Sequence, residues 1–348
     1  MCRVQGCSLT LYGKRLLPCE DAYNCISDGE NHQRLECDKG MSDSADHLQA
    51  LAAKFQAIVG EDNVVCNEPM GEHTTFKIGG PADIFVIPDT PEDVQSLVKI
   101  CKDEQVPYFI LGRGSDLLVG DAGYRGVIIA IADGLVNVSI NECQMTCQAG
   151  VSLREASEMA CELGLTGFEF ACGIPGSIGG ACFMNAGAYD GCIADILTSV
   201  RVLMPDGTLC VIPAEELNLG YRQSRVKDDG LVVVSATFTL REGDPSEIRA
   251  KMDDLTAKRE EKQPLEYPSA GSTFKRPVGH FVGPLITKAG LRGYQSGNAA
   301  ISTKHAGFVI NLGGATARDV HNVIEHVQAE IKRQFDVDLE PEVRFLGE

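Results

Sequence analysis

Apolar residues recur along the chain with two periods, and the alternation between them predicts the elements. Leu48, Leu51, Phe55 and Ile58 fall on one face of a helix expected over roughly Asp46–Val59, with Gly60 as its stop. From Ala82 the rhythm becomes α/β: strand ADIFVIP, helix PEDVQSLVKICKDEQ, then strands PYFILG and GVIIAI. CQMTCQAG reads as a further strand, and SLREASEMACELGL as a helix with Leu153, Ala156, Met159 and Ala160 turned inward. LVVVSATFTL has the unbroken apolar character of a buried strand, and the charged helix SEIRAKMDDLTAKREEK follows it. A polar, proline-containing segment runs from Gln263 to Ser269, and a domain boundary is expected near Gly243. HAGFVINLG is a strand, a helix starts at Thr316 with the capping-box pair Thr316 and Asp319, and LEPEVRFL closes the chain as a strand. In that strand the period of two sets Leu339, Val343 and Phe345 on one side and Glu340, Glu342 and Arg344 on the other. The segment before the first helix has no sustained periodicity and is expected to be a disordered extension, residues 1–45, or a mis-assigned start ahead of Met41.

Composition narrows the class. With 348 residues, 44% of them hydrophobic, the chain can fill the cores of two or three domains. A net charge of -18 disfavours a broad grip on nucleic acid or anionic lipid, so the basic residues are read as local clamps for an anionic ligand. Apolar runs such as Leu231–Ala236 are too short to span a bilayer and no long apolar signal core is found, which predicts a cytoplasmic protein without membrane association. The 14 cysteines form no CxxC pair and no clustered histidines accompany them, so free thiols are expected and no metal site.

Two glycine-rich stretches carry the candidate chemistry. GRGSDLLVGDAG, Gly112–Gly123, follows directly on the strand PYFIL, and GFEFACGIPGSIGGACFMNAGAYDG carries glycines at 173, 176, 179 and 180. Such backbone can turn several peptide N–H groups toward an anion; tight turns without a ligand are the competing account. Leu117 occupies the third position of a GxGxxG pattern and no GK[ST] follows, so neither usual mononucleotide fingerprint fits. Two such loops in one α/β unit suit a large dinucleotide lying between subdomains. Spacing alone leaves Ser272 in an ordinary capped turn, Arg222 and Arg225 on a solvated face and Glu342 facing either solvent or a cleft. No hydrolase triad with a nucleophile elbow and no HExxH pattern occurs.

Taken together, HTTFKIGGPADIFVIP, ILGRGSDLLVGDAGYRGVII, the glycine stretch, GYRQSR, AGSTFKRP, GLRGYQSGNAAIS and LEPEVRFLGE resemble, in order, the UDP-N-acetylenolpyruvoylglucosamine reductases. The resemblance covers nearly everything after about residue 60, and the short path from GYRQSR to AGSTFKRP is similar to the subclass with the shorter substrate domain. It implies a mixed α+β and α/β protein: a PCMH-type FAD-binding fold of two α/β subdomains over 46–243, and a C-terminal α/β substrate-binding domain over 244–348 with its closing strand near 339–346. It implies noncovalent FAD, NADPH as hydride donor and UDP-N-acetylglucosamine enolpyruvate as substrate; the charge argues against a nucleic-acid partner, and the sequence fixes no oligomeric state while being compatible with a monomer. FAD contacts are implied for Gly112, Arg113, Gly114, Ser115 and Asp116 in the first loop. In the second they are implied for Gly173, Ile174, Pro175, Gly176, Ser177, Gly179 and Gly180, followed by Asn185 and Gly187.

The family's proton donor falls on Ser272, its active-site arginine on Arg222 and its glutamate on Glu342, with Lys275 and Arg292 toward substrate phosphate or carboxylate. Two positions depart from the pattern: Asp116 stands where the flavin loop usually has asparagine, and Gly307 where an asparagine is expected. The competing functions are another PCMH-type flavin oxidoreductase, for which Cys182 is the one candidate for covalent attachment, and a noncatalytic nucleotide-sugar binding protein.

Overall fold

A computed structural model describes residues 38–348; the expectations for residues 1–37 lie outside it. The first helix, expected from Asp46, runs Asp38–Val59 and buries Leu51, Phe55 and Val59. It packs on a four-stranded sheet with strands in the order Val64–Pro69, Pro81–Val86, Tyr124–Ala130 and Tyr108–Leu111. The first two pair antiparallel and the remainder parallel. Helix Pro91–Asp103 covers this sheet; Thr90 and Asp93 form its capping box, and Val94, Leu97, Val98 and Cys101 turn inward at helical spacing.

The second subdomain is a five-stranded antiparallel sheet, in the order Leu209–Pro213, Leu197–Leu203, Val232–Thr239, Gln144–Gln148 and Val138–Asn141. Its central strand Val232–Thr239 is the apolar run of the sequence: neighbours pair with both its edges, and helix Ile178–Met184 packs against it. The strands Leu197–Leu203 and Leu209–Pro213 complete the sheet. Helix Leu153–Glu162, capped by Ser152 and Glu155, and helix Pro245–Lys262 pack beside it, with Ile248, Met252 and Leu255 closing over Cys161 and Cys172.

The C-terminal part sets the three strands Gln295–Ser296, Ala299–Ile301 and Val309–Asn311 against the 19-residue helix Ala317–Phe335, capped by Thr316 and Asp319. Three ties lock it to the first subdomain. The Asp121 carboxylate accepts from Ala317 N at 2.7 Å and Arg318 N at 3.1 Å, placing negative charge at the start of that helix. Thr75 N donates to Gly114 O and Thr75 Oγ1 to Ser269 O. The closing strand Arg344–Leu346 pairs parallel with Leu117–Val119, so the chain end runs beside the first glycine loop. Leu339 and Val343 are buried as the period of two requires, but Phe345 is 42% exposed: the strand is an edge over the long helix, and the ring stacks on His321 instead of entering a core.

Candidate active site

The first loop leaves the sheet after Leu111 and turns at Gly114, whose φ of 57° lies in the left-handed region. A methyl group there would sit 2.1 Å from His73 O, so glycine is required both by conformation and by the close approach. Within this turn the peptide N–H groups of Arg113, Gly114 and Ser115 donate to no acceptor among the described residues. Such a run of free donors is an anion cradle. The second loop lies directly against it, since a methyl at Gly112 would meet Ser177 Oγ at 2.5 Å. Ser177 is buried and caps the short helix Ile178–Met184, whose N–H groups at Ile178 and Gly179 are already spent on Val151 O and Ala149 O.

Both loops form one wall of a cavity of about 760 Å³, of the size that holds a cofactor. Gly112–Asp116, Ile174–Ser177, Gly179, Gly180 and Gly187 all face it. Gly173 instead borders a neighbouring cavity of about 330 Å³ with Arg113 and Arg154. Asn185 lies off the wall: it is buried, its Nδ2 donates to Gly220 O at 2.9 Å and its Oδ1 accepts from Ala194 N. Its amide therefore anchors the turn that precedes Arg222.

Arg222, Ser272 and Glu342 come from three separate segments and meet on the facing wall. Arg222 has a left-handed φ of 56°, a conformation costly for a residue with a long side chain, in a turn closed by Gly220 and Gln223. That turn aims the guanidinium inward. Its Nε donates to Glu342 Oε1 at 2.5 Å, and no other Arg222 nitrogen has an acceptor among the described residues. Two forked donors are thus left to face the cavity.

Ser272 sits on a segment held from both sides: Thr273 N donates to Gly307 O, Glu342 N to Thr273 O, and Lys275 N to Glu340 O. The Ser272 hydroxyl has no hydrogen bond among the described residues and opens onto the cavity. Gly307 supplies only backbone here, and its own N–H donates to His305 Nδ1.

Electrostatics separate the two cavity carboxyls from ordinary ones. Burial pushes the Glu342 carboxyl above the usual glutamate range, opposed by Arg222 and Lys275 and reinforced by the Asp116 charge. Burial likewise raises Asp116, against the pull of Arg344, Lys227 and Arg222. His305, also on the wall, is held below the ordinary histidine range by burial and by Arg292, which favours the neutral ring. Cys182 is fully buried with its thiol pushed up to about 12, so it presents no thiolate for covalent flavin attachment.

The two residues assigned to substrate by resemblance lie off this wall. Lys275 pairs with Glu340, and Arg292 donates to Thr303 O at 2.6 Å. Besides Arg113 and Arg222, the cations that line it are Arg276, Arg344 and, from the C-terminal end of helix Pro245–Lys262, Lys258, Arg259 and Lys262. Arg344 was within reach of the sequence, since the period of two places it beside Glu342; its guanidinium lies over the rings of Phe183 and Phe109 at 4.7 and 5.2 Å. Nothing in the sequence separates Arg276 from Lys275. Among the described residues no cluster of His, Cys, Asp and Glu could hold a metal ion.

A family profile described as UDP-N-acetylenolpyruvoylglucosamine reductase, C-terminal domain, matches residues 263–346, and one described as FAD binding domain matches 82–212. A UDP-N-acetylenolpyruvoylglucosamine reductase of Clostridium perfringens is 53% identical over 298 residues, covering 84% of this chain and 98% of that one. A protein of the same name from Clostridium beijerinckii is 50% identical over 294 residues, covering 84% and 96%. The crystal structure of UDP-N-acetylenolpyruvylglucosamine reductase from Thermus caldophilus superposes with a TM-score of 0.69 at 33% identity, covering 81% of this chain and 98% of that one.

Proposed function

The chain belongs to the UDP-N-acetylenolpyruvoylglucosamine reductase family, and we propose that Arg222, Ser272 and Glu342 carry its reaction. The protein is an FAD-dependent oxidoreductase that reduces UDP-N-acetylglucosamine enolpyruvate to UDP-N-acetylmuramate with NADPH, a step of peptidoglycan precursor synthesis. The observation that supports the residue assignment is convergence: an arginine, a free serine hydroxyl and a half-buried glutamate line one cavity together with the two glycine loops, the first of which keeps its N–H donors free.

The residues present fit the cofactor. Free N–H groups at 113–115 suit a pyrophosphate, and the Phe109 and Phe183 side chains offer apolar wall for a ring system. FAD, when bound, supplies the hydride chemistry that links NADPH to the enolpyruvyl double bond. The chain contributes the rest. Arg222, clamped through Nε by Glu342, turns its two terminal nitrogens to the substrate carboxylate and offsets the charge that builds on it as hydride arrives at the far vinyl carbon. Ser272 then delivers a proton from its hydroxyl to the carbon next to that carboxylate, leaving an alkoxide in a cavity whose lining includes the cations Arg222 and Arg276, and solvent reprotonates it.

We assign residues 46–243 to the FAD-binding unit and 244–348 to the substrate unit; the two profile matches, 82–212 and 263–346, lie on either side of Gly243, and helix Pro245–Lys262 between them packs on the FAD-binding side. No helix among the described residues is long and apolar enough to cross a membrane. A cytoplasmic location rests on the NADPH and nucleotide-sugar substrates. The test is anaerobic: flavin reduced by NADPH should regain its oxidised spectrum on addition of UDP-N-acetylglucosamine enolpyruvate, with UDP-N-acetylmuramate formed. Flavin that stays reduced would point to another flavin oxidoreductase, and a protein that takes up no flavin to a binding protein.

A further inference from the structure

Gln263 occupies the end of helix Pro245–Lys262 and carries an unusual deficit. Its backbone is fully used: its N–H donates to Arg259 O at 2.8 Å and its carbonyl accepts from Leu265 N at 3.0 Å. Its side chain makes no hydrogen bond among the described residues. Yet Oε1 is buried and meets no donor, the one buried side-chain polar atom without a partner among the described residues. The residue faces the cavity, beside Arg259 and Lys262 and on the same wall system as Ser272. A buried acceptor without a donor is costly, and a well-packed chain keeps one where a ligand completes it.

A glutamine side chain presents an acceptor and a donor on one edge. Its complement is a group with N–H and C=O side by side. An ordinary trans amide, such as the acetamido group of the sugar, points these two in opposite directions and can satisfy only one of them. A cyclic imide holds both on one edge. Resting on the reductase reading above, we propose that the Gln263 amide turns into this cavity to recognise the imide edge of a bound pyrimidinedione ring, Oε1 leaving its shielded, unpartnered position to accept the ring N3–H and Nε2 donating to the adjoining carbonyl. Two components of the reaction carry that edge, the flavin and the uracil of the nucleotide sugar. Either makes Gln263 a specificity residue in the segment that leads to Ser272, eight residues of loop away from Pro264.

The test uses Gln263→Met, which keeps the length of the side chain and removes both polar atoms. Full-length apoprotein is titrated with FAD and with 3-methyl-FAD, whose imide N–H is blocked, and the holoprotein is titrated with UDP by perturbation of the flavin spectrum. If the flavin is the ring read, the variant weakens FAD binding about five- to tenfold, wild type discriminates against 3-methyl-FAD to the same extent, and the variant does not discriminate. If uracil is read, FAD affinity is unchanged and UDP binding weakens by that factor. FAD and UDP affinities both within twofold of wild type, with no discrimination against the methylated flavin, overturn the proposal. Failure of the reductase reading is separately visible, as wild-type protein in the same preparation that binds flavin without turning over the enolpyruvyl substrate.

Discussion

Arg222 Nε donates to Glu342 Oε1 at 2.5 Å, joining a turn of the flavin unit to the closing segment of the chain across 120 residues of sequence. Both side chains are mostly shielded from solvent, so the pair is a fixture of the cavity wall. The arginine is held by its inner nitrogen, which leaves the outer fork for an anionic ligand. Arg222→Lys retains the charge and loses the fork. Flavin reduction by NADPH should be intact, while reoxidation by the enolpyruvyl substrate slows roughly ten- to a hundredfold, the worth of charge-assisted hydrogen bonds. Stopped-flow absorbance of each half-reaction checks this, and unchanged turnover would remove Arg222 from the reaction.

Glu342 clamps Arg222 as a carboxylate, and burial lifts its pKa above the usual glutamate range. A raised carboxyl pKa means the clamp forms only as pH rises through that higher midpoint and is lost below it. Reoxidation should therefore speed up with pH through an inflection above that of a free glutamate. In Glu342→Gln this limb should flatten and the plateau fall about tenfold. A limb unchanged in the variant would assign the titration to another group.

Asp116 brings a second carboxyl to the same cavity, with a pKa raised by burial against Arg344, Lys227 and Arg222. The sign is the opposite of favourable for a phosphate-bearing cofactor: as pH rises through its lifted midpoint, negative charge appears on the wall. FAD affinity should decline by roughly threefold over that range, the scale of a partly screened charge contact, and Asp116→Asn should remove the decline. Fluorescence titration of the apoprotein with FAD between acid and neutral pH measures it.

Much of this fold is legible in the chain because local signals and tertiary needs agree. The capping pairs at Thr90, Ser152 and Thr316 start helices where they are expected, and Val232–Thr239 is a buried central strand. Where they disagree, the packing decides. Ile178–Met184 forms a helix although glycines occupy its second and third positions, because it packs against the central strand Val232–Thr239 with Gly179 set closely on Ala149. Phe345 follows the inward face of its strand by period and is nonetheless exposed at an edge. The cavity residues obey the same division. Glycine loops announce themselves, but only the folded chain spends Lys275 on Glu340 and Arg292 on Thr303 while leaving Arg276 and Arg344 on the wall.

Two glycines of the loops should respond differently to a methyl group. At Gly114 it would strike His73 O at 2.1 Å in a left-handed backbone, so Gly114→Ala should lower the thermal midpoint of the apoprotein by several degrees, about 1–3 kcal/mol. At Gly180 the nearest atom is Ser177 Oγ at 3.5 Å, and the residue faces the cavity. Gly180→Ala should leave the apoprotein midpoint unchanged and weaken FAD binding. Equal thermal effects at both positions would contradict the geometry.

The central claim is that Ser272 gives the proton that completes reduction of the enolpyruvyl group. Its hydroxyl faces the cavity with no hydrogen-bond partner among the described residues, on a segment pinned by Thr273 N to Gly307 O and by Glu342 N to Thr273 O. The direct measurement is single-turnover reoxidation of NADPH-reduced Ser272→Ala by UDP-N-acetylglucosamine enolpyruvate under anaerobic conditions, beside the rate of its reduction by NADPH. Reduction at the wild-type rate with reoxidation slowed about a hundredfold or more is the expected result. Reoxidation at the wild-type rate, or both half-reactions slowed alike, would contradict it.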